Sequence, residues 1–128
     1  MHVEKLSLEV EARRVGLNVI KPPNIRGRSG VEHTFSFLAS VGGTSIAIDI
    51  YEEVTQAEVI KTYIKKLDTG ASADVLCTTS IRNEAAEKLA REYGMRILTM
   101  GKIVQFFDSM VLRKHSGNAR QASSLLSA

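Results

Sequence analysis

Arg26-Gly-Arg-Ser-Gly-Val-Glu-His-Thr-Phe-Ser-Phe-Leu-Ala-Ser-Val-Gly-Gly-Thr-Ser-Ile-Ala-Ile-Asp-Ile-Tyr-Glu-Glu53 is the stretch that decides the fold of this chain. Gly42-Gly43 supplies the positive φ that a tight hairpin turn needs. The flanking residues therefore predict two antiparallel strands, Val31 to Ser40 and Thr44 to Tyr51. In the second, Ile46, Ile48 and Ile50 alternate with Ala47, Asp49 and Tyr51, so Asp49 and Tyr51 share the face away from the isoleucine row. In the first, Glu32, Thr34, Ser36 and Leu38 share one face and His33, Phe35 and Phe37 the other. Aspartate is disfavoured inside a strand, so Asp49 needs a partner. A metal ion would serve, and so would Arg26, Arg28 or a lysine of the following helix.

Downstream, the hydrophobic period changes from two to 3.6 at Thr55. Thr55 and Glu58 form a capping box that opens a helix to Leu67, with Val59, Ile60, Tyr63, Ile64 and Leu67 as its apolar positions. Asp68-Thr69-Gly70 reads as the turn that ends it. Ala73 to Thr78 is an apolar run suited to a strand buried on both faces. Ser80 is expected to cap a helix carrying Ala85, Ala86, Leu89, Ala90 and Tyr93, closed by Gly94. Met95 to Met100 predicts a short strand. A final helix, about Lys102 to Lys114, carries Ile103, Phe106, Phe107, Met110 and Val111 on one side.

Upstream, the segment to Val15 suits either period, since Leu6, Leu8, Val10 and Ala12 alternate while Val3, Leu6 and Val10 fit a helix. Arg13 and Arg14 before Gly16 favour a helix end. Leu17 to Ile20 then reads as a strand stopped by Pro22-Pro23. The order is αβββαβαβα, an α/β fold with a mixed sheet flanked by helices and an extra C-terminal helix. Its strand–helix–strand section, Asp74 to Leu98, requires parallel neighbours.

The bulk properties agree with one domain. The chain has 128 residues and 44% hydrophobic content, with a mean hydropathy of −0.04. Residues 1–115 are expected to form the domain, and 116–128, rich in Ser, Ala and Gln, a disordered tail. Cys77 is the sole cysteine, and its apolar setting suggests a small buried hydrophobe in a reducing compartment. No apolar run approaches the ~20 residues of a membrane span, so a cytoplasmic protein is expected. The 17 basic and 14 acidic residues leave a net charge of +3, which permits an anionic partner. Two clusters stand out: Lys21, Arg26 and Arg28 in one loop, and Lys61, Lys65 and Lys66 on one helix.

A hairpin bearing acids before a helix, in this element order, resembles the PD-(D/E)XK, or restriction-endonuclease-like, superfamily. Ala73-Asp-Val-Leu-Cys-Thr-Thr-Ser-Ile-Arg-Asn-Glu-Ala-Ala-Glu-Lys-Leu-Ala-Arg-Glu-Tyr-Gly-Met-Arg-Ile-Leu98 is similar to the Mrr-type branch. The Gly-Arg-Ser-Gly-Val-Glu-His segment is similar to uncharacterised archaeal members of the fold. The resemblance spans roughly Val3 to Met100 and implies an αβββαβ core. It also implies an acid on the second strand and an acid-x-Lys on the third, which hold Mg²⁺ and set a lysine beside the attacking water. Mapped here, the first acid falls near Ser36 and the acid-x-Lys becomes Asp49-Ile50-Tyr51. Only Asp49 keeps the pattern. A serine hydroxyl is a poor sole Mg²⁺ ligand, and tyrosine carries no cation at neutral pH.

Three functions follow from that incomplete site. The favoured one is a non-catalytic module that binds DNA, RNA or a protein and needs no cofactor. The second is a Mg²⁺-dependent nuclease with Asp49 and Glu32 as metal ligands and a lysine of the following helix, such as Lys61, standing in for the missing one. The third is an assembly domain that dimerises through the C-terminal helix. Arg26, Arg28, Lys61 and Lys65 are the candidate phosphate contacts, with guanidinium forks and free backbone N–H groups around Gly27. His33 is expected to be structural, packed near Phe35.

Overall fold

A computed structural model of the chain describes residues 2–112. The expected tail and the end of the last helix at Lys114 lie outside the described residues. Helix α1 (His2–Arg14) ends with Arg13 and Arg14, cations that complement the negative end of its dipole. Gly16, at φ 95°, turns the chain into strand β1 (Asn18–Val19). Strands β2 (Asn24–Arg26), β3 (Glu32–Thr34), β4 (Phe37–Val41) and β5 (Thr44–Glu53) follow, then helix α2 (Gln56–Thr69). Strand β6 (Ser72–Ile81), helix α3 (Glu84–Glu92) and strand β7 (Arg96–Thr99) complete the α/β alternation. Residues 100–112 are helical and are called α4.

The main sheet has the order β1-β4-β5-β6-β7. β1, β4 and β5 run antiparallel, while β5, β6 and β7 run parallel, so the sheet is mixed as expected. The Gly42-Gly43 turn joins β4 to β5, both glycines having positive φ. β6 is an interior strand, and its apolar run is buried from Val75 to Cys77.

The first hairpin strand departs from expectation. Val31 to Ser40 is two strands, not one. β3 pairs with β2 in a separate two-stranded sheet, and the chain breaks at Phe35-Ser36 before β4 enters the main sheet. Phe35 and Phe37 consequently do not share a face. Phe35 packs with Leu38, Ala47, Ala71 and Ala73, whereas Phe37 packs with Ile46, Ile48 and Ile50.

One face of the sheet is covered by α1 and α4, which bury Leu8, Ala12, Ile103 and Phe107 against Ile48, Ile50, Val75 and Cys77. The α4 stripe therefore packs on the chain's own core, with Phe106, Met110 and Val111 half-buried beside it. The other face is covered by α2 and α3, whose Val59, Ala86 and Ala90 meet Val54 and Leu76. Tyr63 and Tyr93 stack at 4.4 Å between ring centroids where the two helices touch.

Two local expectations are corrected here. The helix α2 turns Val59 and Thr62 to the sheet, leaving Ile60, Ile64 and Leu67 exposed by 43%, 55% and 58%. Its apolar stripe is thus a solvent ridge for half its width. Ser80 lies inside β6, and the cap of α3 is Asn83, whose side chain accepts a hydrogen bond from the Ala86 N–H at 2.9 Å. The Thr55–Glu58 capping box is present. Among the described residues no helix is long and apolar enough to cross a membrane.

Candidate functional site

β5 directs Ile46, Ile48 and Ile50 to the α1–α4 side, so its period of two turns Asp49 toward α2. Asp49 is buried, with its side chain 3% exposed. It accepts hydrogen bonds from the Thr62 hydroxyl at 2.8 Å and from the Ser36 backbone N–H at 3.3 Å. Its third donor is the Lys65 ammonium, 2.6 Å away. Ser36 and Asp49 lie opposite each other just beyond the Phe37–Ile48 register pair, and the Ser36 hydroxyl accepts the Ile50 N–H at 3.0 Å. The structure therefore brings Ser36 and Asp49 together, and the partner of Asp49 is a lysine of the following helix.

Thr62 and Lys65 reach Asp49 because residues three apart on a helix share a face. Lys65 is itself largely buried; its ammonium also donates to the Thr34 carbonyl at 2.9 Å and lies 4.5 Å from the Phe35 ring centroid. Tyr51 shares the Asp49 face. Burial raises its phenol pKa from 10.0 to about 12, helped by the negative charges of Asp49 and Glu58. It is neutral at ordinary pH and supplies no cation.

One helical turn past Lys65, Asp68 organises the loop that precedes β3. Its carboxylate accepts the Ser29 hydroxyl at 2.6 Å and the Ser29 N–H at 2.9 Å, and lies 2.7 Å from His33 Nε2. The Asp68 carbonyl accepts the Arg28 N–H at 2.9 Å. Its carboxyl is held down from 3.8 to about 2, chiefly by the Ser29 hydroxyl, then by His33 and the Ser29 amide. Gly27 lies against this carboxylate so closely that a β-carbon there would sit 1.9 Å from Asp68 Oδ2. Asp68 is thus more than the turn residue its sequence suggests, and His33 is half-buried against it. Arg26 is the last residue of β2, not a loop residue as expected, and Arg28 lies in the clamped loop; both are exposed.

These contacts join into one run: Ser36, Asp49, Thr62, Lys65, Thr34 and His33, Asp68, Ser29. The other candidates sit off it. Glu32 lies on β3 opposite Arg26 and is exposed, so it is not on the hairpin strand beside Ser36. Lys61 is exposed and acts on Glu58, not on Asp49. Lys66 pairs with Asp74.

A Mg²⁺ ion of the kind the resemblance implies does not fit this donor set. Both Asp49 oxygens already accept hydrogens, and the Lys65 ammonium occupies the cation position beside them. Among the described residues no three of His, Cys, Asp and Glu converge. Thr62 and Asp68 escape a reading of the sequence for carboxylates on strands. Thr62 does leave a signal, as a polar residue three positions after the buried Val59.

No protein-family signature matches the chain, and no curated protein does. The chain is similar to the crystal structure of AF1548, a protein of unknown function, with a TM-score of 0.58 and 19% identity over 75% of this chain. It spans 57% of that protein's length. At that identity the likeness is one of fold.

Proposed function

We propose that this chain is a restriction-endonuclease-like module in which an ion pair has replaced metal chemistry, and that it binds nucleic acid through phosphate contacts. The element order, the hairpin and the meeting of Ser36 with Asp49 support the fold assignment. The observation that carries the non-catalytic reading is the saturation of Asp49 by Lys65, Thr62 and the Ser36 N–H. A carboxylate so enclosed is committed to structure.

The binding reading is supported by the clamped loop. Ser29 and Asp68 hold its backbone, and pairing with β3 holds Arg26, so the backbone under both arginines is ordered before a partner arrives. Guanidinium forks match phosphate oxygens. Lys61 is exposed on the same side of the sheet as α2 and can add a contact, whereas Lys65 is held inside.

Labelled single-stranded, double-stranded and RNA oligonucleotides titrated across salt concentrations test this. The expected result is salt-dependent binding, weakened for every sequence by Arg26→Ala with Arg28→Ala, with the log–log salt slope reduced by about one per lost contact. Cleavage with Mg²⁺ or Mn²⁺ is expected to be negligible. Cleavage by the wild type that disappears in Asp49→Ala would restore the nuclease reading. A tight dimer with no nucleic-acid affinity would favour the assembly reading.

A further inference from the structure

β7 is the last strand in the main sheet's order, so one row of its backbone N–H and C=O groups faces outward. Beside it lies a groove of about 380 Å³, walled by α3 and by the start of α4. Arg82, Arg91, Arg96 and Lys102 line it, against a single acid, Glu87. These four bases and one acid give the lining a net charge of +3.

Glu87 is already engaged. Arg82 grips it with two bonds, of 2.7 and 3.1 Å. Among the described residues Arg91, Arg96 and Lys102 have no carboxylate at ion-pair distance, and the Arg96 guanidinium rests 5.7 Å from the Phe106 ring centroid. Three cations around one concavity repel each other and raise the local concentration of anions. Met95, Ile97 and Leu98 supply apolar wall. The volume falls within the range of roughly 300–1,000 Å³ typical of small-ligand sites.

We propose that this groove binds a nucleotide phosphate, the cations holding the phosphate and the apolar wall taking the sugar or base. Three cations around one concavity favour a phosphate monoester over a lone carboxylate, because it offers them three acceptor oxygens and a charge of roughly −1.5 to −2. The phosphate comes either from a free mononucleotide or from the phosphorylated end of a strand. The site is separate from the Arg26–Arg28 loop, and the proposal holds whether or not that loop binds.

The test is an NMR titration of the ¹⁵N-labelled full chain with four probes. They are adenosine monophosphate, adenosine, and one single-stranded oligonucleotide with and without a terminal phosphate. Saturable shifts centred on residues 96–102 are expected with a phosphorylated probe and absent with adenosine. Arg91→Ala with Lys102→Ala removes two exposed side chains and is expected to weaken binding roughly tenfold or more, the loss of charge-assisted hydrogen bonds. An unchanged spectrum elsewhere verifies that this variant is folded. A response to adenosine monophosphate assigns the free nucleotide, and a response to the phosphorylated oligonucleotide alone assigns the strand end; both support the proposal. Absence of saturable shifts at millimolar probe overturns it, as does unchanged affinity in the double variant. Loss of the response in Arg26→Ala with Arg28→Ala would assign the phosphate to the loop and reject the groove.

Discussion

Lys65→Met should be among the most damaging single substitutions in the molecule, and the reason is an asymmetry within its ion pair. The Asp49 side chain is 3% exposed and the Lys65 side chain 16%. Without Lys65 the carboxylate is stranded with two donors, one of them at 3.3 Å. Removing one partner of a buried pair costs about 3–5 kcal/mol, and the two surviving bonds place this case at about 3 kcal/mol. Asp49→Asn should cost less, about 1–2 kcal/mol, because Lys65 keeps the Thr34 carbonyl and its flexible stem can carry the ammonium toward water. Lys65→Met combined with Asp49→Asn should therefore cost less than the two singles added, with a coupling of about 2 kcal/mol. Urea unfolding at neutral pH measures all four proteins, and an unchanged m-value keeps the comparison valid. A Lys65→Met cost below about 1 kcal/mol would refute the claim that the pair is buried and structural. So would stabilisation by Asp49→Asn, which would mark a carboxylate held against the interest of the fold, as chemistry requires.

Gly27→Ala should open the loop, because the added β-carbon would meet the Asp68 carboxylate at 1.9 Å. The expected outcome is loss of Ser29 amide protection in hydrogen exchange with the sheet amides unaffected. Tyr51 should ionise near 12 instead of 10.0, measurable by ultraviolet titration and absent in Tyr51→Phe. Since its folded pKa lies above the unfolded one, the stability tied to the neutral phenol is complete below pH 10.0 and is lost as pH rises toward about 12. The Asp68 clamp has the opposite sign: it is complete above pH 3.8 and fades as pH falls to about 2, which the pH dependence of the Ser29 amide signal should follow. Asn83→Ala should cost about 1 kcal/mol in chemical denaturation through loss of the α3 cap.

Much of the scaffold is legible from local rules. Gly42-Gly43, the Thr55–Glu58 box and the apolar run before Thr78 each act within a few residues, and each has its expected structural counterpart. The break at Phe35-Ser36 is not legible, because the alternation of His33, Phe35 and Phe37 runs unbroken through it. Only the second sheet, built by β2 and β3, shows that the chain changes partners there. The site follows the same division. Asp49 stands out as an acid in a strand, and a helix lysine is a natural partner for it. Choosing Lys65 over Lys61 depends on the phase in which α2 lies on the sheet. That phase is set by Val59 and Thr62, not by the larger Ile60, Ile64 and Leu67. The role of Asp68 is invisible beside Thr69-Gly70, since its partners Ser29 and His33 are more than thirty residues away in sequence.

Lys65 and Asp68 stand three residues apart, about 4.5 Å along one helix axis. That single turn is loaded from both ends. Upstream it seals the carboxylate of Asp49, and downstream it tethers the backbone of Ser29 and Arg28. Gly70, at φ 72°, stops the helix just past the tether, so no further turn buttresses it. The loop is therefore tethered to the capped last turn of α2, one turn from the lysine that seals the carboxylate. The loop and the enclosed carboxylate are thus anchored to one and the same turn of helix.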